Sequence, residues 1–338
     1  MQKIDAKLAV TVKSSLRDLA PGILAALAVG TVALLVGQRI PVLGGPVAAV
    51  LLGGIITLSF GQHARLALGL KFAGSRFLQV AVVLLGARLS LGDISRIGLS
   101  SLPILVGTLV VCFVGGRLIG RALKIEDNTR MLITVGTGIC GASAIATVAP
   151  VIGATAAQVS YAMSTIFLFN ISAVLLFPLL GNWLNMSQTD FGLFAGTAVN
   201  DTSSVVAAAS AFGLFAVNYA VVVKLVRTLA IVPIAITLGI HHAQPNDLPW
   251  YRKIFSYIPW FLVGFLIFAL INSVAPLPYT VTDAASFLAN ALITVALAAI
   301  ALSTNVAAIK RAGLRPLVLG AALWLLVMVS SLILIRLF

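Results

Sequence analysis

One feature limits what this chain can become more than any other: apolar stretches of about 20 residues recur along its whole length. At 1.5 Å per residue, a helix of that length crosses a hydrocarbon core of roughly 30 Å. Composition points the same way. Of the 338 residues, 60% are hydrophobic and only 9% are charged, and mean hydropathy is +1.12. Soluble domains carry about 25% charged residues. The expected class is an all-α polytopic membrane protein, with the lipid bilayer as its first partner.

Eleven spans are expected, at roughly 19–37, 41–60, 77–91, 99–118, 130–153, 157–180, 190–212, 216–239, 254–273, 283–304 and 314–337. Residues 1–18 are basic and mixed, and read as a retained cytoplasmic lead-in rather than a cleaved signal. The formal net charge of +13 would suggest nucleic acid in a soluble chain. In a membrane protein it reflects the collection of basic residues in cytoplasmic loops. With the N-terminus inside, sixteen Lys and Arg fall in cytoplasmic segments and four (Arg39, Arg88, Arg96, Arg336) fall outside. That bias predicts an N-in, C-out chain and no nucleic-acid partner. No loop has room for a soluble domain, so 1–338 reads as one integral membrane domain, and its function lies within the bilayer or at its faces.

The stretch "TVGTGICGASAIATVAP" (134–150) breaks the oily pattern. Gly136, Gly138 and Gly141 alternate with Thr137, Cys140 and Ser143. Glycine costs about 1 kcal/mol relative to alanine inside a helix. The expected structure is a helix that unwinds and restarts, with Thr137 and Ser143 capping the freed amides. The competing reading is close helix packing through small residues, which also accounts for Gly116/Gly120 and Gly192/Gly196. A broken helix aims opposite dipole ends into the membrane and makes a charge-sensitive site without a formal charge. "IALSTNVAAIKRAG" (300–313) is a candidate second break, with the cap-forming residues Ser303, Thr304 and Asn305. The alternative is that these three simply end the tenth span. Setting 19–37 aside as an extra first helix leaves two sets of five spans, 41–180 and 190–337. The candidate breaks then fall in the fourth span of each set. Odd parity makes the second set an inverted copy of the first.

Asp201 lies inside the seventh span, in "AGTAVNDTSSVVAAAS" (195–210), beside Asn200, Thr202, Ser203 and Ser204. An ionisable group at such depth costs at least about 2.5–3.5 kcal/mol and signals function by default. The eighth span carries Lys224 and Arg227 on one helical face. Two cations against one anion leave excess positive charge, which suits an anionic solute. The plainer alternative is a neutral Asp201–Arg227 pair with Lys224 snorkelling outward. His63, His241 and His242 fall in expected loops, and Cys112 and Cys140 in apolar spans. Neither set has the spacing of a metal site or a disulfide framework. Asn170, a lone amide in the sixth span, reads as an interhelical hydrogen bond.

"TVGTGICGASAIATVAPVIGA", "AGTAVNDTSSVVAAA", "KLVRTLAIVP" and "LSTNVAAIKRAGLRPLVLG" together resemble a bacterial inner-membrane family of sulfate exporters, the YeiH-like proteins. That family is in turn similar to the cation/proton antiporters and bile-acid symporters. The resemblance implies five-plus-five inverted repeats with two crossing discontinuous helices. It also implies a core that moves against a panel domain by an elevator-like step, as a homodimer. It leads one to expect a His before the Asp of the second motif. This chain has Asn200 there, which weakens a proton relay.

The expected function is ion-coupled secondary transport of a small anion, sulfate or another sulfur oxyanion, with H+ or Na+ as coupling ion and no other cofactor. The alternatives are a cation/proton (Na+/H+) antiporter and a Na+-coupled organic-acid symporter. An enzyme is not expected, because the spans hold no paired nucleophile and base and no paired carboxylates. Expected binding residues are Asp201, Asn200, Thr202, Ser203, Lys224, Arg227, Thr137, Gly138, Cys140, Gly141, Ser143, Ser303, Thr304 and Asn305.

Overall fold

A computed structural model describes residues 16–39, 44–61, 63–241, 260–303 and 314–338. Every regular element among them is helical. Seven helices are long and apolar enough to cross a membrane, and two shorter apolar ones accompany them. The chain divides into two units.

The first unit takes the described residues of 1–81 and 287–305. It holds α1 (Leu16–Arg39), α2 (Gly44–Phe60), most of α3 (Ala64–Leu85) and most of α13 (Tyr279–Leu302). Small residues let its helices meet backbone to backbone. A Cβ on Gly69 would lie 2.1 Å from the Leu19 carbonyl oxygen, and one on Gly22 would lie 2.3 Å from that of Leu66. Such contact is how helices associate where lipid removes the hydrophobic drive. The Thr57 hydroxyl donates to the carbonyls of Gly53 and Ala301, at 2.9 and 3.0 Å.

The second unit takes the described residues of 82–286 and 306–338. A single turn, Gly86–Arg88, leads into α4 (Leu91–Ala122). Next come α5 (Asp127–Val135), a wide π-type turn (Gly136–Cys140) and α6 (Ala142–Val148). Then follow α7 (Ala156–Trp183), α8 (Gln188–Ala198), α9 (Thr202–Ser210) and α10 (Leu214–Leu229). After these come α11 (Ile231–His241), α12 (Trp260–Val274) and α14 (Leu314–Leu337). The long helices start where capping chemistry dictates. Ser90 and Asp93 form a reciprocal box before α4, and Thr155 and Gln158 form one before α7.

Two expectations change. The third span was expected from residue 77, yet α3 begins at Ala64. Lys71 and Arg76 are exposed while Leu70 and Ala73 are buried, so the charges lie along one face of a helix and do not mark a loop. The seventh span was expected to be continuous, but it breaks at 199–201 between α8 and α9. The tenth runs unbroken to Leu302, and Ser303 lies at its end with its hydroxyl on the Ile300 carbonyl at 2.9 Å. Thr304 and Asn305 lie outside the described residues. Among the described residues the interrupted helices are α5/α6 and α8/α9.

Gly69→Ala is expected to lower the melting temperature of the detergent-purified protein, since overpacking costs about 1–3 kcal/mol. Gly54→Ala, where an added Cβ meets nothing within 4 Å, is expected to leave it unchanged or raise it.

Candidate functional site: two crossed helix breaks

The first break turns on Gly141, whose φ of 68° and ψ of −129° suit no other residue. Its amide donates back to the Gly136 carbonyl at 2.9 Å, closing the wide turn. The second break is an extended step: Val199 (φ −81°, ψ 140°) leads through Asn200 to Asp201 (φ −105°, ψ 158°). The run Asn200-Asp201-Thr202-Ser203-Ser204 supplies side chains that favour caps over helix interiors, so the chain leaves and re-enters a helix there. The two breaks touch. A Cβ on Gly141 would lie 2.9 Å from the Asp201 Cβ and 3.4 Å from its Cα.

Asp201 is the N-cap of α9. Its Oδ1 accepts from the Ser204 amide at 2.9 Å and from the Ser203 hydroxyl. Its Oδ2 accepts from the Ser204 hydroxyl at 2.9 Å and from the Asn170 amide on α7. An ionised carboxylate offers about four lone-pair sites, and here four donors take them. The cap also sets a negative charge at the positive end of a half-helix.

The cations do the reverse work. Lys224 and Arg227 on α10 are 0% and 1% exposed. Lys224 Nζ donates to the Val199 carbonyl at 2.6 Å. Arg227 donates to the same carbonyl at 3.3 Å and to the Thr137 carbonyl at 2.9 Å. Both carbonyls belong to stretches where the helix ladder has stopped, at the negative ends of α8 and of α5 with its turn. No ion pair joins either cation to Asp201 among the described residues. In place of the alternative Asp201–Arg227 pair, both cations bond to backbone. Lys224 does not snorkel, because the exposed carbonyl of Val199 holds it inside.

Several polar atoms at the crossing are buried without a partner: Thr137 Oγ1, Asn170 Oδ1, both amide atoms of Asn200, and Arg227 Nε. A buried group left unpaired costs about 1–3 kcal/mol. The crossing therefore offers unused donors and acceptors beside two buried cations and one carboxylate.

Of the residues expected at the site, Asp201, Asn200, Thr137, Gly141, Lys224 and Arg227 form the crossing, and Ser203 binds Asp201. Thr202 opens α9. Cys140 closes the wide turn and is 5% exposed. Gly138 faces α4, where an added Cβ would meet Cys112 Sγ at 3.3 Å. Ser143 is exposed in the first turn of α6. The cap of α6 is Gly141, with no side-chain bond, so neither Thr137 nor Ser143 caps the freed amides. Ser303 belongs to the other unit. Sequence reading did not place Asn170 or the Val199 carbonyl at the site. A single amide in an oily helix was the signal for the first, and a carbonyl gives none. Gly192 and Gly196 pack on α10 as expected, with an added Cβ 2.9 Å from the Ala216 carbonyl and 2.8 Å from that of Ala220.

Fold and site together define a multi-pass helical membrane protein with two interrupted helices crossed at a charged centre. By sequence the chain belongs to the family described as "Conserved hypothetical protein 698", whose pattern matches residues 21–320. It is similar to UPF0324 membrane proteins from several bacteria. One from Streptococcus agalactiae is 40% identical over 322 residues, covering 92% of this chain and 95% of that protein. One from Clostridium tetani is 38% identical over 303 residues, covering 86% and 88%. One from Fusobacterium nucleatum is 38% identical over 315 residues, covering 87% and 91%.

Two substitutions test the geometry through the thermal stability of the purified protein. Asp201→Ala removes a cap and leaves buried donors unpaired, an expected loss of about 2–4 kcal/mol. Asp201→Asn, still a good cap residue, is expected to lose less than half of that. An equal loss in both would mean that capping does not explain the carboxylate.

Proposed function

We propose that this protein is a secondary transporter of a small anion, sulfate or another sulfur oxyanion being the leading class, in a bacterial inner membrane. One observation carries the reading: two fully buried cations hold helix-end carbonyls, and among the described residues a single carboxylate, already filled by four donors, is the only anion beside them. The centre keeps a formal surplus of one positive charge in a low-dielectric setting. That favours an anion over a metal cation or a proton carrier.

Coupling to H+ or Na+ is part of the proposal. The unpartnered oxygens of Asn170 and Asn200 beside Asp201 are the groups that a coupling cation would use. Among the described residues, seven long helices, two shorter apolar ones and two interrupted ones would make eleven crossings, in keeping with the N-in, C-out arrangement. The elevator-like step, the homodimer, and the inverted five-plus-five halves at 41–180 and 190–337 rest on family resemblance. Among the described residues the interrupted helices fall fourth in the first set and first in the second; the matching candidate at 304–313 lies outside them. The competing reading, Na+/H+ antiport, draws on Asp201. The full acceptor set of that carboxylate counts against it.

The test is flux into proteoliposomes. Radiolabelled sulfate, sulfite and small organic acids are offered with and without Na+ and a pH gradient, beside a pH-sensitive dye assay with Na+ alone. Saturable anion flux is expected, falling at least tenfold in Arg227→Gln. Na+-driven dye response with no anion flux would replace this reading with antiport.

A further inference from the structure

Away from the crossing, the second unit holds a cavity of about 480 Å³ at the start of α4 and of α10. That is within the range of about 300–1,000 Å³ common for small-ligand clefts. Its polar lining is Arg88, Asp93, Arg96, Asn218 and Tyr219. The carboxylate of Asp93 is engaged by Ser90, whose amide and hydroxyl donate to it at 3.1 and 2.7 Å. Arg88 comes only to 4.0 Å from Asp283, itself 61% exposed. Arg96 has no ion pair among the described residues. Arg88 and Arg96 therefore both line the cavity, Arg96 near Asp93, and neither guanidinium makes a close ion pair among the described residues. Asn218 is 8% exposed, and its Oδ1 is buried with no partner. A buried amide acceptor of this kind asks for an O–H or N–H from whatever fills the space.

We propose that this cavity binds a small oxyanion that still carries an O–H. The arginine forks pair with its oxygens, as planar guanidinium groups do with oxyanions, and Asn218 Oδ1 accepts from its hydroxyl. The site shares no residue with the crossing. It does share a helix: Asn218 and Arg227 are nine positions apart on α10, about 13 Å along its axis. Charge bias in the sequence assigns Arg88 and Arg96 to the outer face, so the cavity gathers anions at that mouth and raises their concentration next to the transport centre.

The experiment uses the full-length Ile97→Cys protein in detergent at pH 6, because Ile97 lines the cavity and the native Cys112 and Cys140 are buried. Maleimide labelling is timed with dihydrogen phosphate and with sulfate at matched ionic strength. Phosphate is expected to slow labelling at least fivefold. Sulfate, which has no O–H at this pH, should need several-fold more. Protection is expected to vanish in Arg88→Gln/Arg96→Gln and to weaken in Asn218→Leu, with each variant's melting temperature checked for folding. No protection, undiminished protection in the arginine variant, or equal potency of sulfate would each overturn the proposal. Because flux is not the readout, the cavity can fail while the transport reading stands, and the reverse.

Discussion

The Val199 carbonyl, with Lys224 and Arg227 both donating to it, is the point on which the second unit depends. In hydrocarbon an unpaired backbone group costs several kcal/mol, so a membrane helix cannot stop midway unless something answers its last carbonyls. Water would do this in a soluble protein. Here α10 supplies two cations for the purpose, and Arg227 extends the same service to the Thr137 carbonyl of the other break. One helix therefore ties both interruptions together. The arrangement explains why two positive charges remain fully buried without a carboxylate partner: each sits at the negative end of a half-helix dipole.

Asp201 completes the same logic with opposite sign. It caps the positive end of α9, and its backbone fills the space that Gly141 leaves by having no side chain. Dipole ends and formal charges thus alternate around the crossing, each stabilising its neighbour. Once those pairings are made, the atoms left over are an arginine Nε, a threonine hydroxyl, both amide atoms of Asn200 and the Oδ1 of Asn170. These are neutral or singly charged groups with direction.

Much of this was legible in the sequence, for physical reasons. Run length and hydropathy gave the membrane class. Glycines with polar neighbours marked the first break, because helix propensity and capping chemistry act over a few residues. Asp201, Lys224 and Arg227 stood out because charge at depth is expensive. The second break was written there too, in Asn200-Asp201-Thr202-Ser203-Ser204, a run of cap formers stronger than Ser303-Thr304-Asn305. It was read as a charge site rather than as a break because an assumed repeat drew attention to the fourth span of the second half. Lys71 and Arg76 misplaced the start of α3, since two exposed charges look alike on a helix face and in a loop.

Hydrogen-bond assignment could not be read from sequence at all. An acid and a base at similar depth on consecutive helices invite pairing, and Asp201 with Arg227 met that description. The structure takes another course because carbonyls carry no sequence signature, yet they compete for the same donors. In hydrocarbon their claim is strong, since the alternative is an unanswered dipole and not a hydrated one. The carboxylate has its own local donors within three residues, together with Asn170 across the gap. A direct salt bridge would have satisfied one charge with the other and left both helix ends bare. Distributing the charges over the ends answers both breaks and preserves a formal positive surplus, on which the proposed anion site rests.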